Sequence, residues 1–181
     1  MTGVRRKNQG MYLLLWIGIG ITAATIGANR VFASGLVDYR LLYQYLQQGW
    51  QDTANGDWKS VCRILLIRAA QTAVIEFLCR SRIHRLTVPL LLVWAGCGAG
   101  LSLVLMTWQQ GALGLFVFLV SIFPHQIFYG AAWGILLIKC LSGYEARRRR
   151  FWGAVTALLL FGILMEVHVN ARLLSLFSFC G

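Results

Sequence analysis

Five long apolar segments alternate with short polar connections along the chain. They cover residues 11–28, 60–79, 86–108, 111–139 and 151–169. A helix needs about 20 apolar residues to cross the hydrocarbon layer of a membrane, which is ~30 Å thick. The pattern therefore predicts an all-α fold: one integral membrane domain over residues 1–181, a polytopic bundle of about five transmembrane helices.

The longest apolar segment, 111–139, is interrupted by Pro124, His125 and Gln126. A straight helix of this length would run about 42 Å, which is longer than the hydrocarbon layer. Proline removes a backbone donor and crowds the preceding turn, so we predict that this fourth helix is broken at Pro124. Since lipid cannot satisfy freed backbone groups, the break should face protein or water. We expect His125 and Gln126 to complete the backbone hydrogen bonds there; a transport or catalytic role is the alternative.

Three of the charged side chains inside apolar segments are candidate functional residues, because charge is costly against lipid. Arg68 and Glu76 belong to the second segment, and Glu166 lies near the end of the fifth. We expect Arg68 and Glu76 to face the interior of the bundle.

Glycines four residues apart allow close contact between membrane helices. Gly96 and Gly100 in the third segment have this spacing, as do Gly130 and Gly134 in the fourth. We predict that all four lie at helix contacts.

The first segment follows a basic leader, residues 5–7, an order that secretory signals share. The small residues of ATIGANRVFASG leave cleavage open. The apolar run is long for a signal core, which favours a retained helix.

Residues 29–59 form the longest polar section, which we predict to be extracytoplasmic. Within it, Tyr39, Tyr43, Leu46 and Trp50 recur at helical spacing and predict an amphipathic helix. Such a helix either rests on the bilayer or offers a docking surface to a partner.

The net charge is +11, from 17 Lys and Arg against 6 Asp and Glu. With the N-terminus inside, eleven basic residues fall on the cytoplasmic side and four outside, so the distribution favours a cytoplasmic N-terminus and an extracytoplasmic C-terminus. The densest cluster consists of Arg147, Arg148, Arg149 and Arg150. Next to a membrane span, this cluster suits anionic lipid headgroups better than nucleic acid.

The chain contains none of the common catalytic, phosphate-binding or CxxC motifs. Glu166 and His168 are two residues apart and point to different faces of a helix, so they do not form a paired metal site. We therefore predict no catalytic residues, no metal, no cofactor and no enzymatic activity.

Two segments carry a resemblance to a known family. GALGLFVFLVSIFPHQIFYGAAWGIL is similar to the apolar segment with a Pro-His pair in stage II sporulation protein M of endospore-forming bacteria; Pro124 and His125 match that pair. FGILMEVHVN resembles the final span of that family, with Glu166 at the position of its glutamate, and the small residues from Gly96 to Gly100 match more weakly. Gln126 and Tyr129 stand where related sequences often have glycine and glutamate.

The resemblance implies a non-enzymatic scaffold in the cell membrane. It would anchor or recruit the peptidoglycan-degrading stage II sporulation proteins D and P during forespore engulfment. The broken helix and the buried charges keep a second hypothesis open, a small transporter or a membrane subunit of an export system. An intramembrane enzyme is a third.

Overall fold

The computed structural model describes residues 2–54, 58–81, 84–142 and 148–170, and the regular elements within these ranges are all helical. The predicted all-α bundle is confirmed. Its helices are α1 (Thr2–Ala33), α2 (Tyr39–Ala54), α3 (Trp58–Arg80), α4 (His84–Gln110), α5 (Ala112–Ile122), α6 (His125–Ser142) and α7 (Arg148–Met165). A π-helical turn, Glu166–Asn170, continues α7. Arg147 lies outside the described residues, and so do the side chains of residues 148–150.

Three helices among the described residues are long and apolar enough to cross a membrane: Gly10–Ala33, Leu86–Gln110 and Phe151–Val169. The pair Ala112–Ile122 and His125–Leu141 adds a fourth if the two are counted as one span. The second segment of the sequence, α3, is more polar and is not among them. That α3 crosses the membrane, and that the spans number five, stay predictions.

The helix pair α5 and α6 is bent by 57° at the break, so the predicted interruption at Pro124 is confirmed. The amide of Phe123 still donates to the Leu119 carbonyl at 2.8 Å, and the amide of Ile127 donates to the Pro124 carbonyl at 3.2 Å. The backbone on both sides of the break therefore keeps hydrogen bonds of its own. At the other end of α5, Gly111 turns the chain between α4 and α5 with a φ of +60°.

Helices α1 and α4 pack together through glycines. A Cβ at Gly96 would collide with the Ile17 carbonyl oxygen, and one at Gly100 would lie 2.6 Å from the Ile21 carbonyl oxygen. Gly20 on α1 makes the reciprocal approach to the backbone of α4. These contacts bring the two backbones as close as small-residue interfaces permit, as the spacing of Gly96 and Gly100 predicts.

The second predicted glycine pair, Gly130 and Gly134 of α6, does not make a close contact of this kind with the described residues. A Cβ added at Gly130 or Gly134 would have no atom of the described residues within 4 Å, so neither glycine lies at a close contact with a described helix. The prediction for these two residues is wrong. The packing of α6 on α7 depends instead on Gly162, where a Cβ would lie 2.5 Å from the ring of Tyr129. The small residue thus belongs to α7, and the large side chain to α6.

Candidate functional site: a polar cluster between three helices

An ion pair joins α3 to the π-helical turn that follows α7. The Arg68 guanidinium donates through Nη2 to both carboxylate oxygens of Glu166, at 3.0 and 3.1 Å. The two side chains are only 15% and 17% exposed. Because both charged groups are largely buried, each is stabilised by the other in place of the solvent that burial removes. Two of the sequence-predicted residues, 98 positions apart, thus form one site.

Tyr129 on α6 completes the pair. Its hydroxyl donates to Oε2 of Glu166 at 2.7 Å, and its ring lies beneath the Arg68 guanidinium, with 4.3 Å from Cζ to the ring centroid. The side chain is fully buried. A ring face attracts a cation, and a hydroxyl donor stabilises a carboxylate. Tyr129 therefore stabilises both members of the ion pair and links α6 to it.

Polar groups of α3 and α6 surround this centre. Arg68 Nη1 donates to Gln71 at 3.1 Å, and the Thr72 hydroxyl donates back to the Arg68 carbonyl at 2.8 Å. The same Thr72 hydroxyl accepts a hydrogen bond from Trp133 Nε1 at 3.2 Å. Most of the polar groups are thus paired inside the protein, which is where such groups must lie if the helices are in lipid. Arg68 Nε is buried and has no hydrogen-bond partner among the described residues.

His125 begins α6 at the edge of the cluster. It is 4% exposed, and its ring meets the Tyr129 ring edge-on, with 5.9 Å between centroids. Its Nδ1 is buried and accepts or donates no hydrogen bond within the described part of the chain. The half-buried Gln126 likewise has no side-chain hydrogen bond to a described residue. The expectation that these two side chains repair the backbone at Pro124 is therefore wrong for the described residues; the hydrogen bonds at the break are those of the Phe123 and Ile127 amides.

Glu76 does not join the cluster. It lies near the C-terminal end of α3, where its carboxylate is 3.8 Å from Arg80 of the same helix. Both residues line a groove of about 610 Å³ between α3 and α7, and Arg68 and Thr72 line it as well. The expectation that Glu76 faces the bundle interior is therefore met only in part.

Tyr129, Trp133 and Thr72 were not singled out from the sequence. One signal was available, since His125, Tyr129 and Trp133 recur every four residues and so share one face of α6. Gly130 and Gly134, which drew attention by their spacing, follow Tyr129 and Trp133 directly and are therefore turned about 100° away from that face. Thr72 has the corresponding relation to Arg68, four residues before it on α3.

The cluster contains one full cation and one full anion held together, with aromatic donors around them. Within the described ranges, no three His, Cys, Asp or Glu side chains come together in a way that could hold a metal ion. The arrangement is suited to joining three helices, and the ionisable groups are also of the kind that proton pathways use.

A helical bundle in which three to four apolar helices could span a membrane, with its buried charges paired between helices, defines the class of this protein. No protein-family model, curated protein or solved structure matches the chain.

Proposed function

We propose that the protein is a non-enzymatic scaffold of the cell membrane that presents helix α2 to partner proteins. The observation that carries this proposal is the two-sided character of α2. One face is fixed to the bundle, and the opposite face carries large apolar side chains that no described residue covers.

The fixed face begins with a cap. The Asp38 carboxylate accepts a hydrogen bond from the Arg40 amide at 2.9 Å, which satisfies a free donor of the first helical turn. Tyr43 is buried, and its hydroxyl accepts a hydrogen bond from Gln110 at the end of α4 at 2.9 Å. Burial raises the pKa of the Tyr43 phenol. Tyr39 contacts the Trp108 ring, with 5.4 Å between centroids. These contacts hold α2 in one orientation.

The free face exposes Leu41 and Tyr45, which are 65% and 75% exposed and lie one turn apart. Isolated exposed apolar residues are ordinary, but a rigid helix that displays an aromatic and an aliphatic side chain together resembles the anchor positions of helix-mediated recognition. A helix resting on the bilayer would show the same exposure, so the experiment must separate lipid from protein.

The particular process rests on the resemblance described above. Under this proposal the N-terminus is cytoplasmic and the C-terminus extracytoplasmic, because of the distribution of basic residues. Helix α2 then lies outside the cell and contacts the peptidoglycan-degrading stage II sporulation proteins D and P during forespore engulfment.

A photo-crosslinking residue in place of Tyr45 tests the proposal in sporulating cells that make the full chain. The matched control carries the crosslinker at Leu14 of α1, which is 71% exposed on a long apolar helix. We expect adducts with a peptidoglycan hydrolase from position 45 and lipid adducts alone from position 14. Lipid adducts alone from both positions would show that α2 rests on the bilayer and would refute the scaffold role.

A second candidate function is a transporter or export-system subunit. It is favoured by one observation: His125 is buried next to the Tyr129 ring, its Nδ1 has no hydrogen-bond partner among the described residues, and Tyr129 in turn contacts the Arg68–Glu166 pair. Buried ionisable residues of this kind line proton and ion pathways in membrane proteins. If this function holds, His125→Phe abolishes ion flux into proteoliposomes that contain the purified chain. If wild-type proteoliposomes conduct no ions above protein-free vesicles, the candidate is dismissed.

A further inference from the structure

The groove between α3 and α7 is large and mainly apolar. Its volume is about 610 Å³, within the range of small-molecule binding sites. Its walls are mainly apolar and include Ala69, Ala73, Phe77, Trp152, Thr156 and Leu160. The groove is open to the outside of the bundle, and Phe77 and Leu160 in its lining are exposed.

The length of the groove corresponds to one leaflet of a bilayer. Its lining on α3 runs from Leu65 to Arg80, which is about 22 Å at the helical rise of 1.5 Å per residue. Half of the ~30 Å hydrocarbon layer is about 15 Å, and the remainder reaches the headgroups. A transmembrane helix of a partner would need a contact surface across both leaflets, whereas an acyl chain needs a surface in one leaflet only.

Basic residues gather at the Arg80 end. Arg80 lines the groove with 75% of its side chain exposed. Lys139 Nζ lies 5.6 Å from the centroid of the Trp152 ring, which is also in the lining. Helix α7 begins there with three arginines, residues 148–150. Glu76 is the one acid in the groove lining. The distance between Glu76 and Arg80 is long, at 3.8 Å, and the Arg80 side chain is exposed, so this ion pair is weak.

We infer that this groove is a binding site for an anionic phospholipid. One acyl chain lies between α3 and α7, and the phosphate is held at the Arg80 end by the surrounding positive charge. Trp152, where the apolar lining meets the basic end, occupies the level that aromatic residues favour at a membrane interface. The site does not depend on the scaffold role, because it uses neither α2 nor any protein partner.

The test uses the full-length protein purified in detergent and exposed to equal amounts of phosphatidylglycerol and phosphatidylcholine, with retained lipid counted by native mass spectrometry. Ala73→Trp fills the groove, and Ala157→Trp is its control, because Ala157 is exposed on α7 outside the lining. We expect wild type and Ala157→Trp to retain phosphatidylglycerol preferentially and Ala73→Trp to lose at least nine-tenths of it.

The substitution Arg80→Gln tests the contact with the headgroup. Its control is Arg63→Gln, because Arg63 is an exposed arginine on α3 that does not line the groove. A basic residue near an anionic headgroup is worth about a fivefold change in affinity. We therefore expect the preference for phosphatidylglycerol to fall about fivefold in Arg80→Gln alone. Equal retention of both lipids by wild type, or undiminished retention by Ala73→Trp, would overturn the assignment. So would a crosslink from Phe77 to the membrane helix of another protein, which would make that helix the occupant.

Discussion

Breaking the Arg68–Glu166 ion pair is the most direct test of the polar cluster. Arg68→Met leaves the Glu166 carboxylate with Tyr129 as its remaining described donor, and Glu166→Met leaves the guanidinium with Gln71 and the Tyr129 ring. Removing one partner of a buried ion pair typically costs about 3–5 kcal/mol, because the other charge is left uncompensated. With exposures of 15% and 17%, we expect each single substitution to cost about 3 kcal/mol, at the lower end of that range.

The double variant Arg68→Met, Glu166→Met should recover most of this loss. Two apolar side chains of similar length need no charge partner, and such replacements of buried pairs are often neutral or stabilising. With about 3 kcal/mol lost in each single variant and at most about 1 kcal/mol lost in the double variant, the interaction energy of the double-mutant cycle is about 5 kcal/mol in size, with a sign that shows coupling. The assay is unfolding of the purified protein in mixed micelles of a mild detergent and SDS, followed by far-ultraviolet circular dichroism.

The pair formed by Glu76 and Arg80 is the internal control. Its separation is 3.8 Å and the arginine is 75% exposed, so the same cycle there should give at most about 1 kcal/mol. If the Arg68–Glu166 double variant is destabilised by the full sum of its single variants, the two side chains do not act as a pair and the reasoning is refuted.

Three further predictions concern single side chains. Gly96→Ala should destabilise the contact between α1 and α4 in the same unfolding assay, whereas Gly98→Ala, where a Cβ meets no atom within 4 Å, should leave it unchanged or slightly more stable; equal effects would contradict the close approach at Gly96. Tyr129→Phe should cost about 1.5 kcal/mol, the lower value for a hydrogen bond to a charged group, and should add nothing when Glu166 is already methionine. Gly111→Ala should cost about 1–3 kcal/mol through its positive φ alone, since the added methyl has open space; an unfolding midpoint equal to wild type would show that the turn relaxes.

The helices and the break could be predicted from the sequence because their causes are local. An apolar run of sufficient length predicts a span, and a proline inside the run predicts an interruption. The close approach at Gly96 was predictable for the same reason, since the small residue itself permits it. Gly130 and Gly134 have the same spacing, yet no described residue lies within 4 Å of a Cβ added at either position. The spacing shows that a close contact is allowed, but it does not show which side of the helix the neighbour occupies.

The polar cluster could be predicted only in part. Arg68, His125 and Glu166 stand out as polar residues in apolar surroundings, but their relation depends on how three helices assemble. Tyr129 binds both charges, yet a tyrosine in an apolar helix is common and gave no signal by itself. Glu76 is as conspicuous in the sequence as Arg68 and lies outside the cluster, because eight residues place it about 12 Å further along α3, next to Arg80.

Helix α3 explains why the cluster and the groove occur together. It exposes large apolar side chains, among them Leu66, Val74 and Phe77, and turns Arg68 and Thr72 toward its neighbours. In lipid, where apolar contacts between helices gain little, such a helix is held chiefly by its polar contacts. Those contacts are gathered around Arg68, so α3 is joined there to α6 and to the turn after α7, and the groove continues from Arg68 toward Arg80. The pair that stabilises the bundle is thus also the reason that an open apolar groove can persist beside it.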